Sequence, residues 1–346
     1  TMLTITQTND LSERVPVEYR DEIGAMSRTF NKMLVKLESA DNQIRNFALR
    51  SVIAERNERK IRNIFQKYVP KDVIDGIFDN PASALEGQTQ VLGILFTDIR
   101  SFTTLSEGFM PDDLVQTLNA YFEPLIDIIA GKGGIVDKFI GDALMAFFGA
   151  PQRRPDDALN AVLAAIEMQK AIGRFNNQQM DVGKPVFKTG IGVNYGAVTV
   201  GNIGSERKMD YTIIGDAVNY GSRLEGLTKE YRQDIIVSRS IFSKVKDQVP
   251  TRFLGFVQPK GKTKGEPIYT VALDLGPREK EGWKYYHDGI RQYYSRRFKR
   301  ARSYFKKTIE LMPSDSLARE FLARANQFAE SPPPANWNGV DVMTSK

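Results

Sequence analysis

The apolar positions of the first 70 residues repeat with the alternating three- and four-residue spacing of a coiled coil. The repeat consists of Met26, Phe30, Met33, Leu37, Ala40, Ile44 and Phe47. A helix with this stripe on a polar surface cannot bury it alone, so the pattern predicts a parallel partner helix, most simply from a second copy of the chain. The alternative is a helix that packs on its own domain.

From Val91 to about Leu273 the pattern changes to short apolar runs alternating with amphipathic stretches. Strands are predicted at 91–96, 189–193, 198–203, 235–237 and within 253–272, with a hairpin at 133–149. Helices are predicted at 112–129, 158–175 and 217–230. This mixture predicts an open sheet that is covered by helices on one side.

Residues 283–325 are helical in pattern and rich in aromatic side chains. Gly289, Ala301, Phe305 and Pro313 lie at the offsets of the small and bulky positions of a tetratricopeptide unit, although the expected tyrosine is displaced to position 293. One repeat cannot bury both of its faces, so we expect it to dock on the preceding domain or on a partner.

The composition narrows the possible chemistry. The 346 residues include no cysteine and one histidine, His287, which excludes thiolate chemistry and His-rich metal sites. No apolar run approaches the ~18 residues of a membrane span. The net charge is +6, but residues 278–307 alone hold eleven Lys or Arg against three Asp or Glu. The basic charge is therefore local, and we expect no nucleic-acid partner.

Two aspartates lie where a sheet could bring them together. Asp98 ends the apolar strand, and Asp142 lies at the turn of the 133–149 hairpin. Two facing carboxylates repel unless cations lie between them, which favours a two-metal site. A site of oxygen ligands alone favours Mg²⁺ or Mn²⁺. The alternative is that Asp98 caps a helix and that Asp142 is a turn residue.

The N-terminal 40 residues carry a resemblance to a known family. Residues 10–17 and the Asp21-Glu22-x-Gly24 element resemble the second half of a HAMP domain, the relay found just inside the membrane in bacterial sensors. Residues 1–39 are therefore expected to be a partial HAMP domain, followed by a coiled-coil or transducer helix at 40–70. The resemblance implies an upstream membrane sensor and a cytoplasmic portion of an inner-membrane protein, of which this fragment is expected to be soluble.

Three longer segments, 96–106, 137–146 and 210–224, resemble in order the motifs of the class III nucleotidyl cyclases. The resemblance implies an α+β catalytic domain at 85–275, with a mixed sheet, helices and a ferredoxin-like core. We expect a parallel coiled coil before this domain. A TPR-like helical pair at 280–328 and an extended tail at 329–346 are expected after it.

The resemblance also implies roles for particular residues. Asp98, Ile99 and Asp142 are the implied ligands of two divalent cations, Mg²⁺ or Mn²⁺. Asn219 would orient the ribose, and Arg223 would meet the charge that develops on the α-phosphate. Lys260 matches the lysine that grips the terminal phosphates, although a charged turn is the alternative for it.

Lys138 and Thr212 are the expected base-selecting residues. Adenine offers an acceptor at N1 and a donor at N6, which suits a lysine donor beside a hydroxyl acceptor, whereas guanine presents the opposite pattern. The resemblance is to the Thr-bearing bacterial adenylyl members, which convert ATP to cyclic AMP and pyrophosphate at homodimer interfaces. A guanylyl cyclase and a non-catalytic dimeric scaffold remain the alternatives.

Overall fold

A computed structural model describes residues 10–65, 74, 87–205, 207–258 and 265–342 of the 346-residue chain. The chain divides into two compact units, residues 1–74 and 75–346. Across the described residues, no helix combines the length and the apolar character that crossing a membrane requires.

The first unit contains one 44-residue helix, α1 (Glu22–Phe65), and a preceding segment that lies along it. Asn31 on α1 ties this segment down, because its side-chain amide accepts from the Val15 N–H and donates to the Val15 carbonyl, both at 2.8 Å. Gly24 permits the close approach at the start of the helix, since a Cβ there would lie 1.7 Å from the Tyr19 carbonyl oxygen.

The predicted coiled-coil stripe lies on the surface of α1. Met26, Ile44 and Phe47 are 65%, 67% and 76% exposed in the single chain. A stripe of this size is costly to leave in water, at roughly 25 cal/mol per Å² of apolar surface. The coiled-coil interpretation therefore stays a prediction about a second helix that would cover the stripe.

The second unit is built on a mixed nine-stranded sheet. Its strands are β1 (Gln88–Ile99), β2 (Gly134–Ile140), β3 (Ala143–Phe148), β4 (Thr189–Ser205), β5 (Lys208–Ile214), β6 (Ile235–Ser238), β7 (Thr251–Gln258), β8 (Glu266–Val271) and β9 (Val340–Val342). Their order is β2-β3-β1-β4-β6-β8-β7-β9, and β5 forms a hairpin with the far half of β4. The sequence pattern predicted two strands where β4 is one long strand.

In the second unit the structure describes helices that follow from the predicted amphipathic patterns and two short helices, at 102–106 and 239–245, that were not predicted. They are α2 (Phe102–Ser106), α3 (Pro111–Gly131), α4 (Asp157–Asp181), α5 (Asp216–Glu230), α6 (Arg239–Val245), α7 (Pro277–Tyr294), α8 (Phe298–Leu311) and α9 (Ser316–Glu330). Pro111 begins α3 at a position where its missing N–H costs nothing.

Helices cover both faces of the sheet, not one face as the pattern predicted. Alternate residues of β1 point to opposite sides, and both sets are buried. Leu95 and Ile99 pack in the cluster with α3 and α4, whereas Ile94 and Phe96 lie against Gly221 of α5. This burial on both faces explains why the sequence of β1 is an almost continuous apolar run.

The C-terminal segment docks on the sheet, as expected for a single repeat, but it has three helices and not a helical pair. The third helix, α9, is capped by Asp315, which accepts from the Ala318 N–H at 2.9 Å. The same carboxylate meets Arg252 of β7 at 2.7 Å in a pair that is 5% and 3% exposed. The tail is also more ordered than predicted, because β9 pairs in parallel with β7.

Candidate functional site

Asp98 and Asp142 meet where β1 ends and the β2–β3 turn lies, at the edge of the sheet that is formed by strand ends. Thr97 of β1 pairs with Leu144 of β3, so the residue after Thr97 and the turn before β3 reach the same end. The carboxyl groups are within hydrogen-bonding reach, and burial together with the neighbouring Asp142 raises the pKa of Asp98 to about 6. Two carboxylates in this position disfavour double ionisation.

The residues fit a divalent cation site by the chemistry of their donors. The Asp142 Oδ2 atom is buried without a hydrogen-bond partner, which is a cost that a cation would remove. Ile99 is 1% exposed and its side chain packs in the core, so only its carbonyl oxygen could serve as a ligand. Within the described parts of the chain, no cluster of three or more His, Cys, Asp or Glu side chains is arranged to hold a metal ion.

Glu225 of α5 is a third carboxyl near this edge, and it was not predicted from the sequence. Burial and the charges of Asp98 and Asp142 raise its pKa to about 8, against the opposing charge of Arg100. At pH 7 it is therefore mainly protonated and adds little negative charge. Its sequence signal is weak, because it comes directly after the third cyclase-like motif.

Lys138 and Thr212 come together although 73 residues separate them. Asp137 lies between them. The Thr212 hydroxyl donates to Asp137 Oδ2 at 2.6 Å, and Lys138 Nζ lies 3.3 Å from Oδ1 of the same carboxylate. Burial raises the pKa of Asp137, while Thr212 and Lys138 oppose that shift. No role for Asp137 was predicted from the sequence.

Asn219 and Arg223 lie one turn apart on α5, so they share a face of that helix. The opposite face packs on β4 through glycines. A Cβ at Gly192 would lie 2.2 Å from the Glu225 nitrogen and 2.6 Å from the Gly221 carbonyl oxygen. The glycine therefore lets the two backbones touch and sets the height of α5 above the sheet.

The predicted residues form two groups in the single chain. Asp98 and Asp142 make one group, and Lys138 with Thr212 makes the other. Among the described residues, no hydrogen bond or ion pair joins these two groups. Lys260 lies outside the described residues, so its predicted role stays a prediction.

Two family models match the chain. The model described as "Adenylate and Guanylate cyclase catalytic domain" matches residues 86–272, and the HAMP domain model matches residues 1–39. Among curated relatives, "Adenylate cyclase 1" of Rhizobium meliloti is 34% identical over 60% of this chain and 31% of its own length. "Adenylate cyclase" of Anabaena cylindrica is 34% identical over 76% of this chain and 51% of its own length. The chain thus spans about a third to a half of these relatives.

Solved structures of cyclases share the fold of about 56% of this chain. The adenylyl cyclase CyaB from P. aeruginosa is 38% identical, with a TM-score of 0.51, over 56% of this chain and 98% of its own. The guanylyl cyclase Cya2 is 37% identical, with a TM-score of 0.50, over 56% of this chain and 97% of its own. Because an adenylyl and a guanylyl cyclase match about equally, overall similarity does not decide between adenine and guanine as the base of the substrate.

Proposed function

Because the chain belongs to the family of adenylate and guanylate cyclase catalytic domains, we propose that it is an adenylyl cyclase that converts ATP to 3′,5′-cyclic AMP and pyrophosphate. The HAMP domain at residues 1–39 would couple this activity to an upstream membrane sensor. The chain would then be the cytoplasmic portion of an inner-membrane protein.

The observation that carries the proposal is the meeting of Asp98 and Asp142 at the sheet edge. Together with the Ile99 carbonyl they would hold two Mg²⁺ or Mn²⁺ ions. Bound divalent ions lower the pKa of a coordinated hydroxyl and neutralise phosphate charge. The role of the chain is to keep two carboxylates close together at the end of a rigid strand.

The reaction forms a bond between the ribose 3′-oxygen and the α-phosphorus and breaks the bond from that phosphorus to the oxygen bridging to the β-phosphate. The 3′-hydroxyl gives its proton to solvent water, and pyrophosphate carries away the bonding electrons. Asn219 would hold the ribose so that the 3′-oxygen lies in line with the leaving group. Arg223 would stabilise the charge on the α-phosphate with its always-protonated guanidinium. Lys260 would bind the terminal phosphates.

Lys138 and Thr212 favour adenine over guanine. The lysine ammonium donates only, and it suits N1 of adenine. Thr212 lies beside it and offers an oxygen to the 6-amino group. For guanine, which has a donor at N1 and an acceptor at O6, both contacts would be mismatched.

A homodimer would complete the site. The metal group (Asp98 and Asp142) and the base group (Lys138 and Thr212) are separate within one chain. The face of α5 that carries Asn219 and Arg223 points away from its own sheet. Two copies facing each other would bring the metal group of one against the base group of the other, giving two equivalent sites. The uncovered stripe on α1 would hold the copies in parallel.

The first test is to measure cyclic nucleotide formation from ATP and from GTP, with Mg²⁺ and with Mn²⁺. We expect cyclic AMP from ATP, and a loss of at least about 100-fold in Asp98→Ala, because one carboxylate cannot hold both ions. Asp247→Asn, an exposed carboxylate on another part of the second unit, should retain the native rate. An Asp98→Ala protein of native activity contradicts the proposed site.

A guanylyl cyclase is the second candidate because Cya2 matches as well as CyaB does. Cyclic GMP as the main product would favour it and would contradict the assignment of Lys138 and Thr212 to adenine. The double change Lys138→Glu and Thr212→Cys should move the preference from ATP towards GTP. A dimer that makes neither product under any of these conditions would favour a non-catalytic scaffold.

A further inference from the structure

The carboxylate of Asp137 joins two strands that are not neighbours in the sheet. Asp137 is on β2 at one edge, whereas Thr212 is on β5, which pairs only with β4 in the described sheet. The Asp137 side chain is 1% exposed and accepts both the Thr212 hydroxyl and the Ile213 N–H. Because this interaction is buried, it belongs to the internal structure that holds Lys138 and Thr212 and is not a surface contact.

A bulge in β2 explains how two consecutive residues act at the same place. The register between β2 and β3 shifts between Val136 and Lys138, which leaves Asp137 without a paired residue. In a regular strand the side chains at 137 and 138 would point to opposite faces. A bulge re-aims a side chain locally, and here both side chains reach the position beside Thr212.

The hydrogen bond from Thr212 has a chemical consequence. A threonine hydroxyl has a single proton and can otherwise either donate to a ligand or accept from it. At 2.6 Å that proton is committed to Asp137 Oδ2. Only the lone pairs of Thr212 Oγ1 remain for a ligand. Lys138 Nζ lies 3.3 Å from Oδ1 of the same carboxylate as an ion pair, and its ammonium group can donate to a ligand.

We propose that Asp137 is a specificity-determining positioning residue that makes Thr212 an obligate acceptor and holds Lys138 as the neighbouring donor. This inference rests on the proposed adenylyl cyclase function and names what selects the base. An acceptor beside a donor matches the 6-amino group and N1 of adenine. A 6-oxo purine places an acceptor against the Thr212 lone pairs, and the hydroxyl cannot turn to meet it while Asp137 holds its proton.

Two ATP analogues of matched size test the obligate acceptor in the native protein. N6-methyl-ATP and 6-methoxypurine riboside triphosphate both carry a methyl group at the 6-substituent and both keep N1 as an acceptor for Lys138. They differ at position 6, where N6-methyl-ATP has an N–H donor and the methoxy analogue has an oxygen acceptor. We expect kcat/KM to be at least about tenfold higher for N6-methyl-ATP, since the other analogue leaves two acceptors facing each other. Values within about threefold would overturn the inference.

The variant Asp137→Asn tests the residue itself. Its amide can donate to Thr212 Oγ1 and release the hydroxyl to turn, so the ratio between the two analogues should shrink by about tenfold. Asp247→Asn is the matched control and should keep the native ratio. A merely structural Asp137 would lower both rates together and leave the ratio unchanged, which would also overturn the inference. In a Thr212→Val background, Asp137→Asn should change the ratio no further, because both act through one hydroxyl.

The experiment separates this inference from the proposed function. A protein that forms no cyclic product from ATP or GTP contradicts the proposed function. The analogue comparison is then made by nucleotide-induced thermal stabilisation, which needs no turnover. A larger stabilisation by N6-methyl-ATP supports the acceptor assignment, and equal stabilisation rejects it. If Asp137→Asn fails to fold, the analogue pair in the native chain still decides.

Discussion

At the scale of single residues, the site depends on carboxyl groups whose protonation is set by their neighbours. Asp98 has a pKa raised to about 6 by burial and by Asp142. Glu225 has a pKa raised to about 8, first by burial. The edge of the sheet therefore carries less negative charge at neutral pH than its three carboxyls suggest.

The variant Asp98→Asn should stabilise the metal-free protein at pH 8. The folded pKa of Asp98, about 6, exceeds the ordinary value of 3.8, so the ionised form opposes folding above pH 6 and the native protein gains stability as the pH falls towards 4. Discounted for the partial exposure of Asp98, the gain is about 1 kcal/mol, or ~2–4 °C in Tm.

The measurement is thermal unfolding in EDTA from pH 8 to pH 4.5. The difference between Asp98→Asn and the native chain should be constant well above pH 6 and should shrink progressively as the pH falls from 6 towards 4. Added Mg²⁺ or Mn²⁺ should stabilise the native chain and not the variant. A variant that is less stable than the native chain at pH 8, or a difference that persists unchanged at pH 4.5, would contradict the assigned pKa.

At the scale of elements, α5 is positioned by the lack of side chains on β4. Gly190 would place a Cβ 2.1 Å from Thr228 Oγ1, and Gly192 would place one against the backbone of α5 itself. The helix cannot be this close to any other residue type. Its outer face carries Asn219 and Arg223, so their height above the sheet is decided by the inner face.

Replacing Gly192 by alanine should therefore displace α5. The added methyl meets backbone atoms that cannot rotate away, and overpacking of this kind costs about 1–3 kcal/mol. We expect a lower Tm together with a fall in kcat of roughly tenfold or more, because a displacement of about 1 Å in positioning groups is felt strongly in the rate.

The matched control is Gly173→Ala on α4, where a Cβ meets nothing within 4 Å. That change should keep the rate and raise stability slightly, by about 0.5–1 kcal/mol, because alanine is the better helix former. Equal effects of the two substitutions would show that the close approach of α5 is not needed.

At the scale of the whole molecule, no hydrogen bond or ion pair among the described residues joins the Asp98–Asp142 pair to the Lys138–Thr212 pair of the same chain. The uncovered stripe of α1 supports a parallel pair of chains, and Leu37 on that stripe is 45% exposed. Activity should therefore depend on protein concentration wherever the pair dissociates.

The variant Leu37→Asp should weaken the pair, because two charges would face each other across the seam. We expect a larger monomer fraction in analytical ultracentrifugation and a loss of activity that is steepest at low protein concentration. Lys36→Asp places the same side chain beside the seam and should retain the dimer. Full activity of Leu37→Asp at nanomolar protein concentration would contradict the prediction that the coiled coil is needed for catalysis.

Several features followed from local pattern alone. The burial of β1, the β2–β3 hairpin and the helix that carries Asn219 and Arg223 were predictable, because periodicity and turn residues encode them locally. The pattern also singled out Asp98 and Asp142. The short strands β5 and β9 were missed. The third C-terminal helix, α9, lies largely inside the region predicted as helical, but its separation from α8 was not predicted. Helices on both faces of the sheet were not expected either.

What the sequence by itself determined is therefore the longer periodic elements and the residue types at their ends. Only the tertiary structure decided that Asp137 lies between Lys138 and Thr212 and that Glu225 lies near the aspartate pair. The physical reason is range: a helix or a turn is encoded by neighbours, whereas the direction of the Thr212 hydroxyl depends on a carboxylate 75 residues away. The bulge in β2 and the pairing of β5 with β4 accompany the approach of that carboxylate to within 2.6 Å of the hydroxyl oxygen.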